Sequence, residues 1–241
     1  MSNLINAPLN EVIFELRWKS DTSVELNQFQ LLLGSMFSSL KDKYPNKESL
    51  MPDANLPLVA FIQKPTYRFR SANNVNKMFQ IGPGVLSFNF VGQNYDWEDF
   101  RDSAKDVISI FKELFDINND NDMQIGLSYI DFFHFDFQNN KVIDYLREYM
   151  HINIETDLFD TNTISFNSTS GDIEDKTFNI AINTGFRNKI EKGIVVNSKL
   201  VKSDKQNIIL GDYENILNSF HEELSAFFKK LTDGELYKNL K

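Results

Sequence analysis

Apolar and polar residues alternate along several segments of the chain, and this period of two is typical of β-strands with one buried face. It predicts a hairpin with arms at 58–70 and 78–91, in which the Gly-Pro-Gly sequence at 82–84 interrupts the second arm as a bulge or sharp bend. The other predicted strands cover 11–18, 124–137, 163–168, 178–186 and 193–201. In segment 178–186 the expected buried face carries Phe178, Ile180, Ile182 and Phe186.

Apolar residues spaced three and four positions apart predict helices that each bury one face. The Asn, Asp and Pro residues of 46–57 predict a loop between the first helix and the hairpin. Together these elements predict an α+β fold, with an antiparallel sheet and helices mainly on one of its faces. The predicted helices cover 23–43, 96–115, 141–150 and 212–231.

The second half of the sequence resembles the first at an offset of 212 − 96 = 116 residues. Asp-Trp-Glu-Asp-Phe at 96–100 falls on Asp-Tyr-Glu-Asn-Ile at 212–216, and strand 11–18 falls on 127–134 without a gap. Because repeats decide architecture, this correspondence favours an internal duplication in which the order strand, helix, hairpin, helix occurs twice.

The same offset places the hairpin turn of 69–78 over 185–194. We therefore expect a first α+β half at 1–120 and a second at 121–241, related by a pseudo-twofold axis with a groove or saddle between them.

Composition is that of an ordinary globular protein, with 41 % hydrophobic and 24 % charged residues among 241. The absence of cysteine excludes disulfides, thiolate metal sites and cysteine nucleophiles. The first residues lack the pattern of a signal peptide, and no run of about 18 apolar residues occurs. These features favour a cytoplasmic protein with no membrane segment.

The formal net charge of −9 changes the expected partners. An acidic surface repels nucleic-acid phosphates, and no segment concentrates Lys and Arg, so nucleic acid is an unlikely partner. The negative charge can be explained by solubility alone. The functional alternative is that it serves to bind a basic protein partner or to mimic nucleic acid.

Several short segments together resemble a sporadically distributed prokaryotic family of uncharacterised proteins of about 250 residues. Where that family has Arg-Tyr-Ile-Asn, this chain has Ser-Tyr-Ile-Asp at 128–131, so no role of that arginine is carried over. The resemblance implies no activity, and its patchy distribution suits accessory or defence-type genes. The segments that carry it are 8–18, 95–100, 126–131 and His221-Glu222 with Phe228 and Thr232.

Metal and cofactor sites are not indicated by the sequence. His134, His151 and His221 lack the spacing of metal ligands. The acidic segment 116–122 resembles the start of a calcium-binding loop, but Asn121 stands where the turn needs glycine. No metal and no cofactor are therefore expected.

Three arginines form the first candidate site. Arg68 and Arg70 share one face of a strand, and Arg17 could lie nearby on its own strand. Guanidinium groups on an open sheet face could bind a carboxylate or phosphate. The alternative is that they pair with Glu11 and Glu15.

The aromatic strand 124–137 provides the second candidate site, through Tyr129, Asp131, Phe133 and Phe135. If no helix covers their face, the aromatic residues form an exposed patch, which usually marks a partner surface. Asp131 is the polar residue of that face, and it is either a tuned acid or a satisfied polar group. Cooperation between Asp131 and His134 is awkward, because strand positions of opposite parity point to opposite faces.

These patterns favour a non-catalytic binding or scaffold protein that engages a protein partner through the sheet face or the groove between the halves and has no membrane association. Formation of a homo-oligomer is possible. The alternatives are a module that binds a small acidic ligand through the arginines and, third, an enzyme. The enzyme is disfavoured because neither a nucleophile–base pair nor a metal site is visible.

Overall fold

The computed structural model describes residues 4, 6–53, 56–118, 120–154, 163–171 and 176–241. The strands within these ranges are β1 (Leu9–Trp18), β2 (Asn46–Ser49), β3 (Tyr67–Arg70), β4 (Lys77–Gly82), β5 (Val85–Val91), β6 (Asp122–His134), β7 (Ser165–Gly171), β8 (Lys176–Arg187) and β9 (Glu191–Lys205). The helices are α1 (Ser23–Leu40), α2 (Trp97–Leu114), α3 (Val142–Tyr149), α4 (Gln206–Leu231) and α5 (Glu235–Leu240).

One sheet contains the nine described strands in the order β2-β3-β4-β5-β1-β6-β9-β8-β7. Antiparallel ladders join β1 to β5, β2 to β3, β3 to β4, β4 to β5 and β7 to β8. The predicted α+β class with a large antiparallel sheet is therefore confirmed. Among the described helices, none has both the length and the apolar character that a membrane span requires.

The chain divides into two compact units. The amino-terminal unit consists of Glu11–Leu127 and Val201–Leu217. The carboxy-terminal unit consists of Met1–Asn10, Ser128–Leu200 and Asn218–Lys241.

The region 46–91 differs from the sequence prediction. The Gly-Pro-Gly sequence is not a bulge within an arm but the turn between β4 and β5, and Gly84 has a φ of 80° there. The predicted arm at 58–70 is a strand only from Tyr67, and it starts with a 3-10 turn at Leu58–Phe61. The polar segment Asn46–Ser49, predicted as loop, pairs with β3 because an edge strand needs only backbone hydrogen bonds on one side.

Alternation along β1 builds the core of the amino-terminal unit. Its even-numbered side chains from Val12 to Trp18 are buried, and α2 buries the complementary stripe. The ring of Trp18 lies 5.2 Å from that of Phe111 and 5.3 Å from that of Phe115. Helix α1 packs on α2. The buried α2 residues are Phe100, Ala104, Val107, Ile108 and Phe111.

A second core lies in the carboxy-terminal unit. Strand residues of β6, β8 and β9 pack there against α3, α4 and α5, which explains the apolar stripe of each helix. Its buried members are Phe133, Phe135, Val142, Leu146, Met150, Ile182, Ile194, Val196, Leu231 and Leu240.

Helix α1 begins with a capping box, and this gives a first testable prediction. The Thr22 hydroxyl accepts from the Glu25 amide at 3.2 Å, and the Glu25 carboxylate accepts from the Thr22 amide at 2.8 Å. Thr22→Ala removes one of these bonds, so we expect the free energy of unfolding to fall by about 1 kcal/mol. Thr22→Asn, which preserves an acceptor, should remain close to the wild type in the same urea titration. Equal losses for both variants would contradict the capping role.

Candidate functional site

The three predicted arginines lie on one sheet face of the amino-terminal unit but do not converge. In the sheet order, β5 and β4 separate Arg17 on β1 from Arg68 and Arg70 on β3. Three strand spacings amount to roughly 14 Å, too far for one small anion to bridge. The structure therefore brings Arg68 and Arg70 onto one strand and leaves Arg17 apart.

The three arginines donate to carboxylates and, equally often, to carbonyl oxygens. The Arg17 guanidinium donates to both carboxylate oxygens of Glu15, at 2.7 and 2.8 Å, and this pairing raises the pKa of Arg17. Its Nη1 also donates to the Gln63 carbonyl at 3.0 Å. Arg68 donates to Glu48 at 3.3 Å. Pairing with Glu15, the alternative raised by the sequence, is what Arg17 does.

A polar row crosses the same face next to Arg68. The Asn89 amide donates to Glu11 at 2.8 Å, and the Ser87 hydroxyl donates to Asn89 at 2.8 Å. Burial raises the pKa of Glu11, while the Asn89 bond and the Arg68 charge oppose that shift. Among the described residues, none accepts a hydrogen bond from the buried Nε of Arg68. This row is polar and internally paired, apart from that one guanidinium nitrogen.

The predicted exposed patch on strand β6, formed by Tyr129, Asp131, Phe133 and Phe135, is not present. Phe133 and Phe135 are 4 % and 5 % exposed and belong to the core of the carboxy-terminal unit. Asp131 is 5 % exposed, and Tyr129 is half-buried. Helices cover this face, so the condition for a partner surface here is not met.

The half-buried Tyr129 and the buried His221 form a polar pair. The Tyr129 hydroxyl lies 2.6 Å from Nδ1 of His221 on α4. Burial lowers the pKa of His221 to about 4, and burial raises the pKa of Asp131 to about 7. Both shifts favour the neutral form, which is the expected response of titratable groups inside a core. His134, by contrast, is exposed.

The amino-terminal unit contains a lysine–serine contact that the sequence did not predict. The buried Lys77 ammonium bonds to Asp99 and, at 2.9 Å, to the Ser103 hydroxyl. A nucleophilic serine has to donate its hydroxyl proton to a nearby base. The Ser103 hydroxyl instead donates to the Asp99 carbonyl at 2.8 Å. The cluster therefore ties β4 to α2 and lacks the arrangement of a nucleophile.

The acidic segment that resembles a calcium loop holds a lysine instead. The Lys205 ammonium donates to the Asp120 carbonyl at 2.9 Å and to the Asp122 carboxylate at 2.7 Å. Within the part of the chain that the structure describes, no group of three metal-binding side chains occurs.

The turn between β8 and β9 exposes two large apolar side chains, and we name residues 186–190 the hairpin tip. Phe186 is 62 % exposed and Ile190 is 85 % exposed. The prediction that Phe186 belongs to the buried face is wrong, because β8 continues beyond the core that buries Ile182. Alternation in the sequence indicates on which face of the sheet a residue lies. It does not indicate how far along that face the packed core extends.

The backbone of the hairpin tip is held in an unusual conformation. Asn188 and Lys189 have φ angles of 52° and 62°, a region that suits Asn and is uncommon for Lys. The Ile190 amide donates to the Arg187 carbonyl at 3.2 Å, which closes the turn. Such strain persists only where neighbouring contacts fix it.

Side chains at the base of the hairpin tip provide those contacts. The Arg187 guanidinium donates to Glu191 at 2.7 and 2.9 Å and lies 4.8 Å from the centre of the Phe132 ring. The Lys192 ammonium lies 4.3 Å from the centre of the Phe137 ring. The tip therefore presents Phe186 and Ile190 from a braced turn.

No family model, curated protein or solved structure matches this chain. The resemblance to a prokaryotic family accordingly remains a prediction, and the candidate function depends on the geometry alone.

Proposed function

We propose that this protein is a non-catalytic binding or scaffold protein that engages a protein partner through the hairpin tip. The exposure of Phe186 and Ile190 on a braced turn carries the proposal. Large apolar side chains on a pre-ordered turn bind with little loss of conformational entropy, and such residues tend to dominate interface energies. An accessory or defence-type process, which the sequence resemblance implies, is compatible with such a role.

The charge around the hairpin tip indicates the kind of partner. Segment 185–192 contains Arg187, Lys189 and Lys192 against Glu191, a net charge of 3 − 1 = +2 in a chain of net charge −9. A complementary partner surface would have an apolar pocket for the two side chains and an acidic rim.

Affinity capture with matched variants tests this proposal. We expect the tagged full chain to recover one protein in near-equal amount from an extract of its own organism. The double variant Phe186→Ser/Ile190→Ser should lose that protein, because both anchoring side chains are removed. Since these residues are exposed, the melting temperature should change little.

The control variant removes equally exposed apolar side chains elsewhere. Val24 and Leu31 on α1 are 63 % and 74 % exposed, and Val24→Ser/Leu31→Ser should still recover the partner. The role of the tip would be refuted if the tip variant still recovered the partner, or if both variants lost it equally. It would also be refuted if the wild type recovered no protein in stoichiometric amount.

A small acidic ligand is the second candidate, and the buried Nε of Arg68 favours it. That nitrogen donates to none of the described residues, while Nη1 of the same guanidinium donates to Glu48 and its charge acts on Glu11. A ligand with one carboxylate could accept from Nε, but it would have to compete with two acidic residues.

We also propose that the chain arose by internal duplication. The order β1-β5-β4-β3 in the first half corresponds to β6-β9-β8-β7 in the second, and in each half a long helix, α2 or α4, follows the last hairpin. This order supports the repeat, whereas the constant offset of 116 equates the wrong hairpins, β3–β4 with β8–β9. The reason is a difference in length: β9 has 15 residues and leads directly into α4, but β5 has 7 and is followed by a loop.

A further inference from the structure

The last strand of the sheet, β7, has a backbone edge that no described strand covers. In the sheet order β7 lies at one end and pairs on its other side with β8. An edge strand presents unpaired N–H and C=O groups, which makes it a template for another strand.

The ladder between β7 and β8 shows which backbone groups face outward. Ile164 stands opposite Thr184, because Ser165 is paired with Asn183, and the Thr184 amide donates to the Ile164 carbonyl at 3.0 Å. Opposite pairs of an antiparallel ladder alternate between bonded and non-bonded. The even-numbered residues therefore bond to β8, and the backbone groups of Ser165, Asn167, Thr169 and Gly171 point to the edge.

The two ends of the sheet differ in their protection against pairing. At the opposite end, β2 is four residues long and carries Lys47 and Glu48, and such short charged edges discourage strand addition. Strand β7 is seven residues long, Ser-Phe-Asn-Ser-Thr-Ser-Gly, with neither a charged residue nor proline. In a chain of net charge −9, this neutral strand lets a second copy approach without direct charge repulsion.

Strand β7 is also complementary to itself. In an antiparallel pair centred on Ser168, Ser165 would oppose Gly171 of the second copy, and Asn167 would oppose Thr169. The same types of side chain already pair between β7 and β8, where the Thr169 hydroxyl donates to Asn179 at 2.7 Å and the Ser165 hydroxyl donates to Asn183 at 2.8 Å. Cross-strand pairs of this kind stabilise a sheet.

We propose that two copies of this chain associate through antiparallel pairing of β7 with β7. The outward backbone groups of Ser165, Asn167, Thr169 and Gly171 form the intermolecular ladder, and the pairing centres on Ser168. This dimer is independent of the hairpin tip, which lies at the connection of β8 to β9.

Sedimentation velocity over a wide concentration range tests the dimer. The wild type should approach 2 × 28.0 = 56.0 kDa as its concentration rises. Asn167→Pro removes one outward N–H without removing a bond to β8, and Asn167→Lys places two charges near the dimer axis. Both variants should shift to 28.0 kDa, whereas Asn46→Lys, the same change on the opposite edge, should remain dimeric.

Amide hydrogen exchange supplies a second readout that does not depend on a variant. The amides of Asn167 and Thr169 should be protected only at concentrations that favour the dimer, while those of Ser168 and Ser170, bonded to β8, should be protected throughout. A monomer at all concentrations, or a dimer that Asn167→Pro leaves intact, would overturn the proposal. The tip variant Phe186→Ser/Ile190→Ser should remain dimeric, so failure of partner capture and failure of dimerisation can be told apart.

Discussion

Gly82→Ala is expected to lower the free energy of unfolding by about 3 kcal/mol or more, because the added methyl group meets backbone that cannot move aside. A Cβ at this position would lie 2.8 Å from the carbonyl carbon of Lys64 and 3.0 Å from Cα of Pro65, with the Lys64 oxygen closer still. Hydrogen bonds fix this crossing segment, since the Gln63 amide donates to Pro83 at 2.8 Å and the Thr66 amide donates to Ile81 at 2.9 Å.

Gly34→Ala is the matched control for this effect. Gly34 lies in α1, and a Cβ there would meet no atom within 4 Å. Alanine favours the helix by about 1 kcal/mol over glycine, so the same substitution should raise stability at this position. Urea unfolding of both variants measures the two signs. A Gly82→Ala protein within about 0.5 kcal/mol of the wild type would show that the segment 63–66 yields, contrary to the close approach described above.

The Gly-Pro-Gly sequence at 82–84 shows why some elements could be predicted well from the sequence and others poorly. Strand β1 and helices α1 to α3 agree with prediction to within a few residues, because their apolar spacing is a local signal. The Gly-Pro-Gly sequence is ambiguous between a bulge and a turn, and only the pairing of β4 with both β3 and β5 decides between them. Long-range pairing also makes β2 a strand, although its four residues are polar.

The candidate sites were harder to predict than the elements, since a site depends on which faces are covered and how far. Parity predicted opposite faces for Asp131 and His134, but it could not show that helices bury Phe133 and Phe135. Likewise, alternation assigned Phe186 to the buried face and could not show that the core ends before it. A detectable signal did exist at the hairpin tip, where Asn188 occupies a turn position that favours left-handed backbone.

Asp131 and His221 should together make the free energy of unfolding of the wild type depend only weakly on pH between about 4 and 6.5. The reason is that the pH dependence that each group contributes has the opposite sign. Burial raises the pKa of Asp131 from 3.8 to about 7, so the folded state keeps a proton that the unfolded state loses, and stability falls as pH rises through this range. Burial lowers the pKa of His221 from 6.5 to about 4, so stability falls as pH decreases through that range.

Replacing either Asp131 or His221 should reveal the pH dependence of the free energy of unfolding that the other residue contributes. In Asp131→Asn, the free energy of unfolding should rise by about 3 kcal/mol from pH 4 to pH 6.5, as His221 loses its proton in the unfolded state. In His221→Gln, it should fall by about 4 kcal/mol from pH 4 to pH 7, as the buried Asp131 resists ionisation. His134→Gln, a change at an exposed histidine, should follow the wild type.

Urea unfolding across pH 4 to 8 measures these slopes. Parallel profiles for all four proteins would mean that water reaches Asp131 and His221 in the folded state. That result would contradict the burial of both side chains. Opposite slopes would show that the neutral forms of both groups belong to the core. In that case the acid and the imidazole of the carboxy-terminal unit act as buried polar residues, at a cost in stability that the surrounding apolar packing offsets.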